Sequence, residues 1–83
     1  MPGKRFVYVI QSEWASRQHY VGLTSNVVTR LAAHNAGESL HTRKYRPWRL
    51  ALAMEFATEE KAAAFERYLK SGSGCAFLKR RLI

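Results

Sequence analysis

The chain contains no aspartate, and its six carboxylate side chains are all glutamates. A two-metal nuclease centre needs several converging carboxylates, so this inventory weighs against one and leaves single-metal chemistry as the expected limit. Cys75 is the only cysteine. It can form neither an internal disulfide nor a multi-thiolate zinc site, and nothing in cysteine usage argues for secretion. The three histidines, His19, His34 and His41, are scattered and make no HExxH or other zinc spacing. Ser71-Gly72-Ser73-Gly74 lacks the lysine of a phosphate-cradling loop and reads as a break between helices. No apolar run approaches the ~18 residues of a membrane span, and the N-terminus carries no signal-like stretch. Repeats and low-complexity tracts are absent. These exclusions predict a cytoplasmic single domain over residues 1–83 with no membrane partner.

The charge that is present is lopsided. Fourteen Lys and Arg against six Glu give a net charge of +8. So much positive charge on so small a surface favours polyanions, nucleic acid first. The 47% hydrophobic content is that of a globular chain with a modest core.

Along the chain, Met1 to Lys4 is expected to be a mobile lead-in. Phe6-Val7-Tyr8-Val9-Ile10 is β-branched and aromatic and predicts a strand, Ser12 to Ser16 a connection, and His19 to Thr24 a second strand. A turn centred near Trp14 places Tyr8 directly opposite Tyr20 on one sheet face. Thr24-Ser25-Asn26 is a helix-start signal, followed by Val27, Val28, Leu31 and Ala32 at helical spacing and stopped by Gly37. Arg30 and His34 lie one turn apart on a face that is not the apolar one. Residues 41–49, HTRKYRPWR, break the pattern at Pro47. Leu50, Leu52, Met54 and Phe56 alternate and predict a third strand, buried on at least one face. Thr58 caps a second helix, with Glu59 and Glu60 at its positive end and Ala62, Phe65 and Leu69 inward. Gly72 is expected to stop it. Ser73 to Leu82 predicts a final helix, packed through Phe77, Leu78 and Leu82, with Lys79-Arg80-Arg81 exposed. The expected class is α+β, a three-stranded antiparallel sheet flanked by helices in the order β-β-α-β-α-α.

Several residues carry two readings at this level. Glu66 is either a single-metal ligand for Mg²⁺ or Mn²⁺ or an exposed partner of Lys70, four residues on. Arg30 and His34 are either wet-side residues or a phosphate-binding guanidinium with an imidazole beside it. Tyr8 and Tyr20 are either ordinary strand aromatics or part of a site. All these signals can converge on one surface.

These residues resemble the GIY-YIG nuclease superfamily, in its small stand-alone form. Phe6-Val7-Tyr8 stands for the first motif and Tyr20-Val21-Gly22 for the second, after an eleven-residue spacer. Arg30 and His34 match the arginine and the His/Tyr one turn on, Asn26 a frequent polar position opening that helix, and Ala63-x-x-Glu66-x-x-x-Lys70 the glutamate helix. The resemblance covers Arg5 to Ile83. It implies hydrolysis of a DNA phosphodiester with one divalent ion, Mg²⁺ or Mn²⁺, in repair or recombination settings among others. Glu66 would hold the metal, Tyr8 would act as general base or orient water, and Tyr20 would assist. Arg30 would stabilise phosphate charge and His34 would tune the tyrosine. Cations such as Arg30 and Lys70 would help a phenol of ordinary pKa ~10 to work near neutral pH. The chain departs from the pattern at Phe6 in place of glycine, at Leu23 in place of a lysine, and in having no asparagine after Glu66.

With no room for a separate DNA-binding module, the basic loop becomes the expected nucleic-acid surface. Arg43, Lys44 and Arg46, with Lys70, would contact phosphates, and the Trp48 ring would either stack on bases or pack on the core. The expected substrate is DNA that is nicked, branched or single-stranded, bound with weak sequence preference. The alternative is a non-catalytic nucleic-acid-binding module on the same fold.

Overall fold

The computed structural model describes residues 3–15 and 17–83. Met1, Pro2 and Ser16 lie outside the described residues, so the lead-in and the connection are described only in part. Among the described residues seven elements follow in order: β1 (Phe6–Ser12), β2 (His19–Thr24), α1 (Val27–Asn35), a short 3₁₀ turn (Arg43–Tyr45), β3 (Trp48–Glu55), α2 (Glu59–Lys70) and α3 (Gly72–Arg81). The strands form one antiparallel sheet in the order β2-β1-β3, which is the expected α+β arrangement. Of the lead-in, Lys4 is tied down, its backbone N–H donating to Glu59 Oε1 at 2.7 Å.

Alternation along β1 divides the core between the two faces of the sheet. Val7 and Val9, with Val21 of β2, meet Ala62 and Leu69 of α2 and Leu78 of α3. Tyr8 and Ile10 face the other way and meet Trp48, with Val27 and Leu31 of α1 and Tyr45 packed against them. Burial of each such large aliphatic side chain contributes roughly 1.5–3 kcal/mol. The helices are capped as the sequence suggests. Asn26 Oδ1 accepts from Thr29 N–H, Thr58 Oγ1 from Lys61 N–H, and Gly37 takes φ +82° just beyond α1. The second break falls on Ser71 rather than Gly72. Ser71 ends α2 and its hydroxyl caps α3 by accepting from Gly74 N–H.

Three expectations are corrected. Tyr8 lies opposite Gly22, and Tyr20 lies opposite Ile10. The connection turns later than Trp14 because Ser12 Oγ accepts from the N–H groups of Trp14 and Ala15, and Gln18 N–H closes on Ala15 O. The register differs by two residues, which preserves the shared face of the tyrosines. In β3, Val9 pairs with Leu52 and Ile10 with Leu50, so Ala51 is an extra residue. This bulge reverses the alternation. Leu52 joins the valine face and Trp48 joins the Tyr8 face, while Leu50 and Met54 remain largely exposed. In α3 only Leu78 of the three expected apolar residues is buried; Phe77 and Leu82 are substantially exposed.

Candidate active site

Tyr8 occupies the central strand and reaches toward the β2 edge. A Cβ added to Gly22 would sit 2.5 Å from the Tyr8 hydroxyl oxygen and 2.7 Å from Cζ. The glycine of the second motif is therefore the space in which the Tyr8 ring lies. Tyr20 stands diagonally across, its ring centroid 6.3 Å from that of Tyr8.

His34 is only 1% exposed, contrary to the expectation of a wet face, whereas Val28 is 79% exposed. The inward stripe of α1 is Val27, Leu31 and His34, spaced for one helical face. A buried imidazole requires polar partners, and the tyrosine face supplies one. The Tyr8 hydroxyl lies 2.8 Å from His34 Nε2, and Arg30 Nε donates to the same hydroxyl at 3.4 Å. The His34 ring also packs on Tyr20 at 5.1 Å between centroids.

The second partner of His34 is Thr42, which sequence reasoning missed. Its Oγ1 lies 2.8 Å from His34 Nδ1, and it is as buried as the imidazole. The neutral ring has one donor and one acceptor nitrogen. Among the described residues, His34 Nδ1 is the one hydrogen-bond partner of Thr42 Oγ1. A buried hydroxyl hydrogen left without an acceptor costs about 1–3 kcal/mol. The ring has one acceptor nitrogen for two buried hydroxyls, Thr42 Oγ1 and Tyr8 OH, so only one of them donates to it; where Thr42 is that donor, the hydrogen sits on Nε2 and points at the Tyr8 oxygen. In that tautomer the phenol oxygen receives two N–H donors, from His34 and Arg30. Thr42 is held in turn by the Trp48 indole, whose Nε1–H donates to Thr42 O at 2.8 Å. Asn35 clamps Trp48 by accepting from its N–H at 2.6 Å and donating to its carbonyl at 3.0 Å. Nothing in the local pattern of HTRKYRPWR marks Thr42; the Gly37 turn and the β3 bulge bring it to His34.

Trp48 is 4% exposed, so its ring is core and cannot stack on a base. That assignment is corrected: of the two readings, packing is the one found. Arg43, Lys44 and Arg46 are exposed on the same segment, Lys44 with its ammonium 5.2 Å above the Tyr45 ring. Lys70 is exposed at the end of α2 and pairs with Glu66 at 2.5 Å.

Similarity to known proteins decides the family. The model of the GIY-YIG catalytic domain matches residues 4–75. The chain belongs to the GIY-YIG family. It is 37% identical over 71 residues to a UPF0213 protein of Streptococcus pneumoniae serotype 4, covering 84% of this chain and 70% of that one. It is 32% identical over 71 residues to a UPF0213 protein of Staphylococcus haemolyticus, covering 84% of each. It is also 34% identical over 65 residues to a structure-specific endonuclease subunit SLX1 homolog of Giardia intestinalis, covering 74% of this chain but only 18% of that protein. No solved structure matches significantly.

In this GIY-YIG domain the electrostatics oppose easy ionisation of Tyr8. Burial pushes the phenol above its ordinary pKa, and the fields of Tyr20 and Glu66 push the same way, while the hydrogen bond and charge of Arg30 pull it down. The net rise means that Tyr8 keeps its proton at neutral pH, so the cations named from sequence do not by themselves produce a phenolate. Its partner Arg30 is held above its ordinary value, chiefly by the bond to Tyr8. Although α2 packs on the opposite sheet face, the field of Glu66 reaches the Tyr8 hydroxyl. The Glu66 side chain is only 14% exposed, so it is a sheltered carboxylate rather than a solvated one. Among the described residues no three His, Cys or Glu side chains cluster. A single carboxylate fits Mg²⁺, which keeps most of its waters, and does not fit an all-protein cage.

Burial, then the charge of Arg30, holds the His34 imidazole below its usual pKa; burial, then Lys79, does the same for His19. The unfolded chain takes up these protons near pH ~6.5, and the folded chain resists them. Stability is therefore fully present above about pH 6.5 and falls on acidification through the lowered folded values. The urea midpoint is expected to drop between about pH 7 and pH 5, and to drop less in His34→Gln. A midpoint that holds or rises over that interval would contradict this linkage.

Proposed function

We propose that this GIY-YIG domain is a metal-dependent DNA endonuclease that hydrolyses phosphodiester bonds with a single divalent ion, with selectivity for DNA structure rather than extended sequence. The observation that carries the reading is the Tyr8 hydroxyl, held over Gly22 between Arg30 and His34. The similarity to the SLX1 homolog of Giardia intestinalis, a structure-specific endonuclease subunit, supports the same reading.

In the reaction a water oxygen bonds to phosphorus and sheds a proton, one P–O ester bond breaks, and the departing oxygen takes up a proton, so the proton count is unchanged. Arg30 has the charge and the partial exposure to meet a non-bridging phosphate oxygen while its Nε stays on Tyr8. With the His34 hydrogen on Nε2, two N–H groups meet the Tyr8 oxygen, its own hydrogen is free to orient the attacking water, and any phenolate formed there would be met by both donors. Tyr20 and His34 wall the site and exclude bulk water. Glu66 would hold Mg²⁺ or Mn²⁺, and the ion, when bound, would stabilise negative charge on the phosphate and the departing oxygen.

The non-catalytic reading has one observation in its favour: Glu66 is already paired with Lys70. Cleavage of nicked and branched DNA, measured as Mg²⁺ or Mn²⁺ is titrated, separates the two. In Glu66→Gln the ion concentration for half-maximal cleavage is expected to rise by at least about tenfold, a scale that changes around a metal site already reach. Cleavage with the same metal dependence in this variant would remove Glu66 from the metal site. Binding without cleavage at any metal concentration would establish the binding module instead.

A further inference from the structure

We propose that the outer face of α2 and α3 binds a single strand of nucleic acid, on the side of the sheet away from the tyrosines. The sheet-facing residues of these helices are Ala62, Leu69 and Leu78, and the opposite face of the sheet holds Tyr8. A groove of about 440 Å³ runs along the outside, with Tyr68 and Phe77 in its walls and Arg80 and Arg81 beside them. Both rings are substantially open, 41% and 37% exposed. Tyr68 is held in place as the outermost ring of the series Phe56, Phe65, Tyr68, with successive centroids 5.3 and 5.8 Å apart. Another cleft, of about 490 Å³, is lined by Arg17, His19 and Lys79. The last turn of α3 thus contributes cations to two concavities. Among the described residues no carboxylate side chain lines either one.

This pattern selects the ligand. One cation near a helix C-terminus is enough to complement its dipole; Lys79, Arg80 and Arg81 exceed that need. Positively charged grooves with accessible rings suit unpaired nucleotides, whose bases stack on aromatic side chains while phosphates meet arginine. In a duplex the bases are stacked on one another and leave the rings without partners. An acidic protein would use the cations alone. Trp48 is sealed in the core, and Trp14, 62% exposed, is tied through its Nε1–H to Arg46 O of the basic loop; Tyr68 and Phe77 are a pair of exposed rings sharing one groove with two arginines. Binding here does not depend on the nuclease reading. Where both hold, one strand lies at Tyr8 and another passes behind α3, as the arms of a branched DNA would.

The test is fluorescence anisotropy of labelled oligothymidylate of about ten nucleotides, a length within the span of a single small binding fold, in metal-free buffer so that nothing is cleaved. Tyr68→Ala combined with Phe77→Ala is expected to weaken binding by about tenfold or more, from the loss of stacking on two rings. Arg80→Gln with Arg81→Gln is expected to weaken it and to flatten its salt dependence. Unchanged urea midpoints establish that the variants are folded. NMR of the unaltered protein with the same oligonucleotide reads the site without any substitution: the Tyr68 and Phe77 ring signals should shift. Unaltered affinity in the ring variant overturns the proposal. Shifts confined to the Tyr8 face overturn it as well. Neither outcome touches the cleavage test, which reads Glu66 and the metal.

Discussion

Tyr8→Phe is expected to lower DNA cleavage by about 10²–10⁴-fold, the range of a positioned group that handles or orients a proton. The ring and its packing against Tyr20 and His34 stay; only the hydroxyl goes. That hydroxyl accepts from Arg30 and lies 2.8 Å from His34 Nε2, so its removal leaves a buried imidazole nitrogen without a hydrogen-bond partner. A stability cost of about 1–3 kcal/mol should accompany the kinetic loss. The two effects are separated by assaying below the unfolding transition and by a companion variant. Thr42→Val keeps the shape of Thr42 but removes the donor to His34 Nδ1. It should lower kcat more than KM, and Thr42→Ser should restore both. Nitrogen-15 shifts of the His34 ring read the proton position directly. The wild type is expected to carry its hydrogen on Nε2. A hydrogen on Nδ1 would reverse the polarity argued for the chain of bonds from Thr42 to Tyr8. Cleavage unchanged in Tyr8→Phe would remove that hydroxyl from the chemistry.

The largest structural effect is expected at Gly74. A Cβ there would lie 1.9 Å from the Tyr68 carbonyl oxygen and 2.5 Å from Leu69 Cα. Both are backbone atoms and cannot rotate away, so α2 and α3 would have to separate. Overpacking that flexible side chains absorb costs about 1–3 kcal/mol; this contact should exceed that range. For a chain of this size the total stability is only on the order of 4–12 kcal/mol. Gly74→Ala should therefore lower the urea midpoint sharply or leave the chain largely unfolded at 37 °C. Gly72→Ala makes the contrasting control, since a Cβ at Gly72 meets nothing within 4 Å. Equal midpoints for the two variants would show that the helices part at little cost.

The contrast between these glycines shows what sequence could and could not reveal. Ser71-Gly72-Ser73-Gly74 announced a break between helices, because glycine and serine are poor helix interiors and good caps. It did not show that Gly74 is the point of closest approach, since that distance depends on how two helices cross. Thr42 is the same kind of case. Its hydroxyl matters only because the chain turns back at Gly37 and Trp48 locks the returning segment, and both are long-range facts.

By itself, the sequence determined the order β-β-α-β-α-α, the helix caps at Asn26 and Thr58, and the shared face of Tyr8 and Tyr20. Those features rest on local spacing, capping chemistry and strand parity, all of which are written in neighbouring residues. The tertiary structure decided the rest. It set the hairpin register, placing Gly22 under the Tyr8 ring. Through the β3 bulge it buried Trp48, and it turned His34 inward against Thr42. The physical reason is the cost of burying polar groups. His34 could enter the core only where a phenol and a threonine hydroxyl were both within hydrogen-bond reach, and no local pattern records that meeting.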